Sequence, residues 1–404
     1  MRRLAVLSLH TSPLAQPGKG DGGGMNVYVR ELSSALARAG VECDVYTRAD
    51  RPGLDPIVRV EPGFRVHHVE SGPTSTVERH VLPSLVDGFT RGVFERLADA
   101  PAEALHANYW LSGVAGHAIK HELGLPLVST FHTLARVKAD AGDYEPEARV
   151  RAEHEVMACS DAVLASCSVE AAQLRQLYGV EPERVEIVAP AVDHAFFAPG
   201  NRAQARRAIN LPAAPQILLF VGRIQALKGL DVAIAAFAQL RDQSAVLVVV
   251  GGPSGPEGEA EHLRVEQLAV DLGVAGRIIW RDPQPHELLS TYYRASNVVL
   301  VPSRSESFGL VALEASACGT PVVAAAVGGL RTLVEHGLTG FLVEGRDPAA
   351  FAAFAGEIVT NPALADEMGR NAARQALRYQ WSISAARLRR LYSDLTARTL
   401  TTCM

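Results

Sequence analysis

Short apolar runs and longer amphipathic segments alternate along the whole of the 404-residue chain. Leu4–Leu9 is the first apolar run, and after a glycine-rich stretch "MNVYVRELSSALARAG" places Val29, Leu32, Leu36 and Ala39 at helical spacing. Gly40 stands where a helix C-cap belongs. "VECDVYTR" reads as the second strand. The alternation continues through "ALHANYW" and "LSGVAGHAIKHELG", then "PLVSTFH" and the polar stretch Ala148–Met157, and finally "AVLASC", "VEAAQLRQLYG" and "VEIVAP". A second series begins near Ile217 with "ILLFVGR" and runs through "AVLVVVGG", "IIW", "VVLVPS" and "PVVAAAVGG", each followed by a helical segment. Strands apolar throughout, alternating with helices, predict parallel sheets covered on both faces.

Between the two series the strand pattern lapses, and Pro and Gly return between Pro190 and Pro215. The expected organisation is therefore an α/β protein of two doubly wound, Rossmann-like domains facing each other across a cleft. The first spans 1–195 and the second 196–375. Residues 376–404, with the amphipathic "WSISAARLRRLYSDLTA", form a helix crossing back to the first domain. A chain of this length exceeds one hydrophobic core, which agrees with two domains.

Composition narrows the function classes. With 48% apolar and 21% charged residues and a formal net charge of −5, the chain carries no basic field for nucleic acid or an anionic membrane. An anionic ligand must be held by a local cluster. No apolar run approaches the ~20 residues of a membrane span. The start, "MRRLAVLSLHTSP", reads as a buried strand and not as an export signal. Cys43, Cys159, Cys167, Cys318 and Cys403 are scattered and never in a C-x-x-C pair, so reduced thiols in a cytoplasmic protein are expected, with neither a disulfide framework nor a zinc site.

The stretch "PGKGDGGGMNVYV" contains Gly18-x-Gly20-x-x-Gly23, which matches a dinucleotide fingerprint on paper. Leu9 and Gly18 are separated by eight residues, too many for that turn, and Asp50 is poorly placed for the ribose acid. A flexible loop is one remaining reading. The other is that Gly22–Gly24 let the backbone approach a ligand, with a helix from Met25 offering its amides to negative charge. In the second half, Arg223 and Lys228 of "FVGRIQALKG" follow a strand, where two cations suit a diphosphate or form a solvated pair. Glu306 and Glu314 are eight residues apart. On one helix they would share a face ~12 Å apart, beyond the ~5 Å of a retaining nucleophile–acid pair. Two separate hydrogen-bonding roles fit better, unless Glu314 is merely an exposed helix residue.

Together, "GGGMNVYVRELSSAL", "VGRIQALKG" and "ESFGLVALE" resemble the retaining glycosyltransferases of family 4, whose GT-B fold pairs two Rossmann-like domains. The resemblance runs from Leu4 to about Trp381. "LHTSPLAQPGKGDGGGMNVYV", "HANYWLSG", "TFHTLARVK", "GGPSGP" and "DPQP" narrow it to the members that transfer N-acetylglucosamine from UDP-GlcNAc to 1D-myo-inositol 3-phosphate in mycothiol biosynthesis. The resemblance implies a donor diphosphate met by Gly24, Arg223 and Lys228, a ribose held by Glu314, sugar hydroxyls held by Glu306, and a phosphate oxygen met by Thr320. Gln16 and Pro17 would border the donor, and the main chain at Gln284 would meet uracil. For the acceptor it implies His10, the loop Asp21, Gly22, Gly23, Gly24, Met25 and Asn26, then Tyr109, Thr133 and Arg149. Arg79 stands where a lysine is usual; it keeps the charge but has a longer, planar head. Tyr109 and Trp110 could instead only wall the cleft, and His10 could be a buried strand-end histidine.

No carboxylate in the first-domain motifs offers itself as a nucleophile. The resemblance implies front-face retention, with Arg223 and Lys228 stabilising the departing diphosphate and His132 orienting the donor sugar. No cofactor is required for that chemistry, although relatives can carry a structural magnesium at the segment of Tyr293, Arg294 and Ser296. A homodimer is also implied. Three other readings compete: a related family 4 glycosyltransferase that uses another small polar or phosphorylated acceptor in a specialised-metabolite pathway, a non-catalytic two-lobed binding protein, which would need an export signal, and a nicotinamide oxidoreductase, which the loop spacing disfavours.

Overall fold

The computed structural model describes residues 1–402 apart from Lys19, Asp21, Ala141 and Pro256. It divides into two compact units: Met1–Ala15, Met25–Ala189 and Trp381–Met404 form the first, and Gln16–Gly24 with Pro190–Gln380 form the second. The passage into unit 2 falls at Ala189, slightly before the expected 195, and the return falls at Trp381. The glycine stretch from Gln16 to Gly24 is counted with the second unit, although it lies early in the chain.

Unit 1 holds β1 (Arg3–Leu7), β2 (Glu42–Arg48), β3 (Ile57–Glu61), β4 (Phe64–Val69), β5 (Ala104–Asn108), β6 (Leu127–Thr130), β7 (Ala162–Ala165) and β8 (Val185–Ile187). They form one sheet in the order β3-β4-β2-β1-β5-β6-β7-β8. All neighbours are parallel except the hairpin β3–β4. That hairpin escapes the sequence pattern for a physical reason. β3 is an edge strand with exposed or half-buried positions throughout, and β4, "FRVHHV", carries Arg65, His67 and His68 into the sheet. Buried Asp44 compensates, accepting from Arg65 at 2.7 Å and contacting His67 Nε2 at 2.8 Å. Helices Val86–Asp99 and Trp110–Leu123 bury Phe89, Val93, Leu111 and Ile119 against Leu7, Leu105 and Leu127.

The helix Trp381–Thr396 completes unit 1. Leu388 and Tyr392 are fully buried, Trp381 meets Tyr28 edge-on at 5.9 Å, and the Tyr392 hydroxyl lies 2.8 Å from His106 Nδ1. His106 Nε2 is 2.8 Å from the Thr130 hydroxyl, so both ring nitrogens are occupied.

Unit 2 holds β9 (Ile217–Val221), β10 (Val246–Val250), β11 (Ile278–Arg281), β12 (Val298–Val301), β13 (Val322–Ala325) and β14 (Gly340–Val343). The order is β11-β10-β9-β12-β13-β14, every pair parallel. Leu218, Phe220, Leu247, Val249 and Leu300 pack one face against Phe237, Val265 and Phe351. Glu306 departs from the expected geometry. The helix carrying Glu314 starts only at Leu310, because Gly309 adopts φ +105°. Glu306 therefore lies in the preceding loop, and the helical rise does not set its separation from Glu314.

Cys43, Cys167 and Cys318 are buried free thiols. Cys159, expected to be reduced, is disulfide-bonded; Cys403 lies outside the described residues. Among the described residues no helix is long and apolar enough to cross a membrane.

Two histidines of unit 1 are held neutral. Burial depresses His106 to about 3, and burial, reinforced by His106 and His10, depresses His132 to about 3. Their folded-state values lie below the ordinary value near 6.5, so the unfolded chain binds more protons as pH falls. The stability they contribute is present above about pH 6.5 and is lost as pH falls towards 3. Denaturant unfolding should show a loss of about 2 kcal/mol per histidine between pH 7.5 and pH 5. His132→Asn, which tolerates the same left-handed backbone, should remove about half of this slope. An unchanged slope would refute the assignment.

Candidate active site

In an open parallel sheet, ligands bind beyond the strand carboxyl ends where the strand order reverses. In unit 2 that point lies between β9 and β12. Arg223 and Lys228 follow β9, and Glu306 follows β12. Lys228 Nζ donates to Glu306 Oε2 at 2.7 Å, and the Ser303 hydroxyl reaches the same oxygen at 3.3 Å. All three long side chains are half-buried. Two close backbone approaches fix the frame. Gly229, at φ +74°, would drive a Cβ to 2.2 Å from the Pro302 carbonyl oxygen, and Gly328, at φ +46°, to 1.9 Å from that of Glu306. The "VGG" turn after β13 thus abuts the loop that carries Glu306.

The glycine stretch docks beside this point. A Cβ on Gly23 would stand 3.5 Å from Arg223 Nε, and one on Gly24 would stand 3.3 Å from the Leu310 side chain. Gly18 and Gly20 are the members with positive φ, +86° and +53°. Gly22, buried, accepts the Gly18 amide at 2.9 Å. Backbone conformation therefore requires the first two glycines and not the Gly22–Gly24 run. Gln16 donates to the Pro283 carbonyl at 2.9 Å, and Ser254 donates to that of Gly20. Pro17 is half-buried in the same turn, and Asp21 lies outside the described residues.

A cavity of about 460 Å³ opens beside Gly18 and Gly20, walled by Gly251, Gly252, Pro253, Trp280, Pro283 and Gln284. Its glycine walls expose main chain, and Trp280 offers a flat apolar face. Gln284 turns its own side chain to the Asp282 carbonyl, 2.8 Å away. Glu314 is buried, with His286 at 2.7 Å on one oxygen and the Tyr293 hydroxyl donating at 2.8 Å to the other. It is not an exposed helix residue. Thr320 is also buried, and its hydroxyl donates to the Tyr293 carbonyl at 2.7 Å, so it ties two elements together.

The side chains of the residues expected around magnesium are engaged elsewhere. The Tyr293 hydroxyl is bonded to Glu314, the Ser296 hydroxyl donates to the Tyr292 carbonyl, and Arg294 is itself a cation donating to the Phe196 carbonyl. None of the three is the carboxylate that Mg²⁺ sites favour.

Unit 1 reverses its strand order between β1 and β5, and a second cluster lies there. Tyr109 follows β5, while His132 and Thr133 follow β6. Among the described residues only Tyr109, His132 and Asn210 have positive φ without being glycine, so two of the three strained positions fall here. Such strain costs about 1–3 kcal/mol and persists where surroundings enforce it. Arg149, almost fully buried, gathers the cluster. It donates to the Tyr109 hydroxyl at 3.1 Å and to both the Thr133 carbonyl and hydroxyl at 3.0 and 3.1 Å. Its guanidinium also lies over the Tyr109 ring, 5.0 Å from the centroid, and the His10 ring is tilted against that same ring at 4.7 Å between centroids.

Arg149 is fixed by two carboxylates that sequence reasoning missed. Glu145 and Glu153 each lie 2.8 Å from it. Fully buried Glu153 also accepts from the Ala135 amide at 3.0 Å and from the Tyr178 hydroxyl. Glu153 sits four residues beyond Arg149, so the i,i+4 spacing was the available signal. Asn108 was missed as well: its Oδ1 meets His132 Nε2 at 2.9 Å and fixes that ring. Asn26, in the first turn of its helix with Met25, donates to the Thr11 hydroxyl at 2.7 Å and the Ser12 carbonyl at 2.6 Å. Arg79 is half-buried in the irregular segment after β4.

Comparison with known proteins bears on both units. The family described as Glycosyl transferase 4-like domain matches residues 23–191, and that described as Glycosyl transferases group 1 matches residues 201–375. The D-inositol 3-phosphate glycosyltransferase of Acidothermus cellulolyticus is 45% identical, covering 98% of this chain and 91% of its own. The enzyme of the same name from Thermobispora bispora is 43% identical, covering 98% and 96%. Among solved structures, a sucrose-phosphate synthase from Thermosynechococcus elongatus superposes with a TM-score of 0.92 at 33% identity, covering 98% of this chain and all of that one. Anabaena HepE, solved with UDP and glucose, shares the fold at a TM-score of 0.79 and 19% identity, covering 98% of this chain and all of that one. Matched in both halves and similar along nearly all of its length, the chain belongs to the family 4 glycosyltransferases of GT-B fold, the family that includes the D-inositol 3-phosphate glycosyltransferases.

Proposed function

We propose that this enzyme transfers N-acetylglucosamine from UDP-GlcNAc to 1D-myo-inositol 3-phosphate with retention of configuration. The observation that carries the donor half is the set Arg223, Lys228 and Glu306 at the strand-order reversal of unit 2, beside the glycine-walled cavity. The cavity accepts a planar base against Trp280, with main-chain groups near Gln284 reading its edge. Arg223 and Lys228 take the diphosphate, and Lys228 exchanges part of its bond to Glu306 for a phosphate oxygen. Glu306 then serves the sugar hydroxyls, and Glu314 uses lone pairs not taken by His286 and Tyr293 for the ribose. The relatives' names supply the acceptor.

The acceptor half rests on Tyr109, Thr133 and Arg149. Each hydroxyl accepts from the guanidinium, so its proton is left to donate to an anionic oxygen. Bonding to a cation makes it a stronger donor. Arg149 is neutralised by Glu145 and Glu153 and acts on the phosphate mainly through these hydroxyls, while Arg79 brings the additional charge. His10 and Asn26 border the same site.

In the transfer, the bond from the anomeric carbon to the diphosphate oxygen breaks and a bond to the acceptor oxygen forms on the same face. The acceptor proton passes to the departing phosphate oxygen. Arg223 and Lys228 stabilise the developing charge. His132, neutral because of its burial, orients the donor sugar without exchanging protons near neutral pH.

Incubation with UDP-GlcNAc, UDP-glucose and a set of acceptors, scored by UDP release and by the anomeric coupling of the product, tests the reading. Release with UDP-GlcNAc and inositol 3-phosphate, giving an α-linked product, is expected. Release only with a hexose phosphate, a substrate class that the name of the 33%-identical sucrose-phosphate synthase brings into play, would replace the acceptor and keep the donor site. Lys228→Ala should lower kcat about a hundredfold to a thousandfold while thermal unfolding stays unchanged. Tyr109→Phe should raise the acceptor KM about tenfold or more, since a hydrogen bond to a charged group contributes about 1.5–3 kcal/mol. It should leave the donor KM untouched, and an unaltered acceptor KM would exclude a phosphate at this cluster.

A further inference from the structure

Elsewhere in unit 1, three metal-ligating side chains converge, one buried, one half-buried and one exposed. His117 and His121 are one turn apart on helix Trp110–Leu123, their ring centroids 4.8 Å apart. Cys159 is the last residue of helix Glu147–Cys159. One ligand atom from each lies within 4.8 Å of the other two. Two histidines at i,i+4 on one helix face form a familiar zinc-binding pair. Bond lengths of about 2.0–2.3 Å in a tetrahedral site place ligand atoms about 3.5 Å apart. The backbone is held: buried Lys120, between the two histidines, donates to the Cys159 carbonyl at 2.7 Å and to Asp161 at 2.8 Å.

We propose that His117, His121 and Cys159 form a Zn²⁺ site that becomes available when the Cys159 disulfide is reduced. The two states exclude each other, because a sulfur in a disulfide has no thiolate to give. A dithiol reductant opens the site by exchange: its two thiols become a disulfide, and the protein disulfide becomes two thiols. Zn²⁺ then replaces the Cys159 thiol proton, which leaves to solvent. Two imidazoles and a thiolate select a borderline metal over Mg²⁺ or Ca²⁺. Of the three, His121 is exposed to solvent. The site therefore joins the redox state of the chain to its metal content, at a place that takes no part in sugar transfer.

Co²⁺ is a spectroscopic probe for such a site. The full chain, reduced with a phosphine and freed of reagent, should bind one equivalent. The complex should show a near-ultraviolet thiolate-to-cobalt charge-transfer band and visible bands of tetrahedral intensity, both removed by Zn²⁺. The oxidised chain should show neither. Reduced Cys159→Ser should lose the charge-transfer band, and His121→Ala should lose the tetrahedral spectrum while keeping wild-type glycosyltransfer, which shows that it is folded. Absence of the band in the reduced wild type would overturn the proposal, as would its persistence in Cys159→Ser.

Discussion

Parallel strands impose a constraint on which everything functional in this protein depends. Their side chains are consumed by two covered faces, so chemistry can be placed only at the loops beyond their carboxyl ends. Where strand order reverses, adjacent loops diverge and leave room. Unit 2 uses the gap between β9 and β12 for two cations and a carboxylate, and unit 1 uses the gap between β1 and β5 for hydroxyls gathered by an arginine. Steep backbone conditions at Gly229 and Gly328 show how tightly those loops are pressed together. The positive φ of Tyr109 and His132 is the counterpart in unit 1, where side chains are needed and glycine would not serve.

Much of this was legible in the chain. The apolar runs of unit 2 are uninterrupted Val, Ile and Leu, so their burial on both sides follows directly. The hairpin β3–β4 was not legible, because its polar content conceals a strand whose charges are met by Asp44, a residue on a neighbouring strand 21 positions before Arg65 and 23 before His67. Candidate site residues drawn from strand ends, such as Lys228, Tyr109 and Thr133, do come together with partners. Residues whose task is to fix them were harder to find. Glu153 reads as one more charge on a polar helix; only the fold shows that its carboxylate is wholly buried and holds Arg149. Glu306 is the opposite case: its eight-residue spacing from Glu314 suggests one helix, and Gly309 leaves it in a loop.

The electrostatics of the two units differ in kind. Around Arg149 the carboxylates of Glu145 and Glu153 hold a buried guanidinium within unit 1, so its geometry is set by the fold itself. Around Lys228 the pair with Glu306 is only half-buried. Buried, fully satisfied networks specify one arrangement at high cost to alternatives. A half-exposed pair yields at modest cost.

The return of the chain to unit 1 at Trp381 has a consequence for synthesis. His106 sits in the middle of the first sheet, yet the hydroxyl that meets its Nδ1 is that of Tyr392. A ribosome must make the whole of unit 2 before that partner emerges. At about 5–20 residues per second, the delay is about 10–40 s. During that interval the face destined for Leu388 and Tyr392 is uncovered, while unit 2, which already has the Gln16–Gly24 segment it requires, can close. The order of completion on the ribosome is thus the reverse of the order of translation.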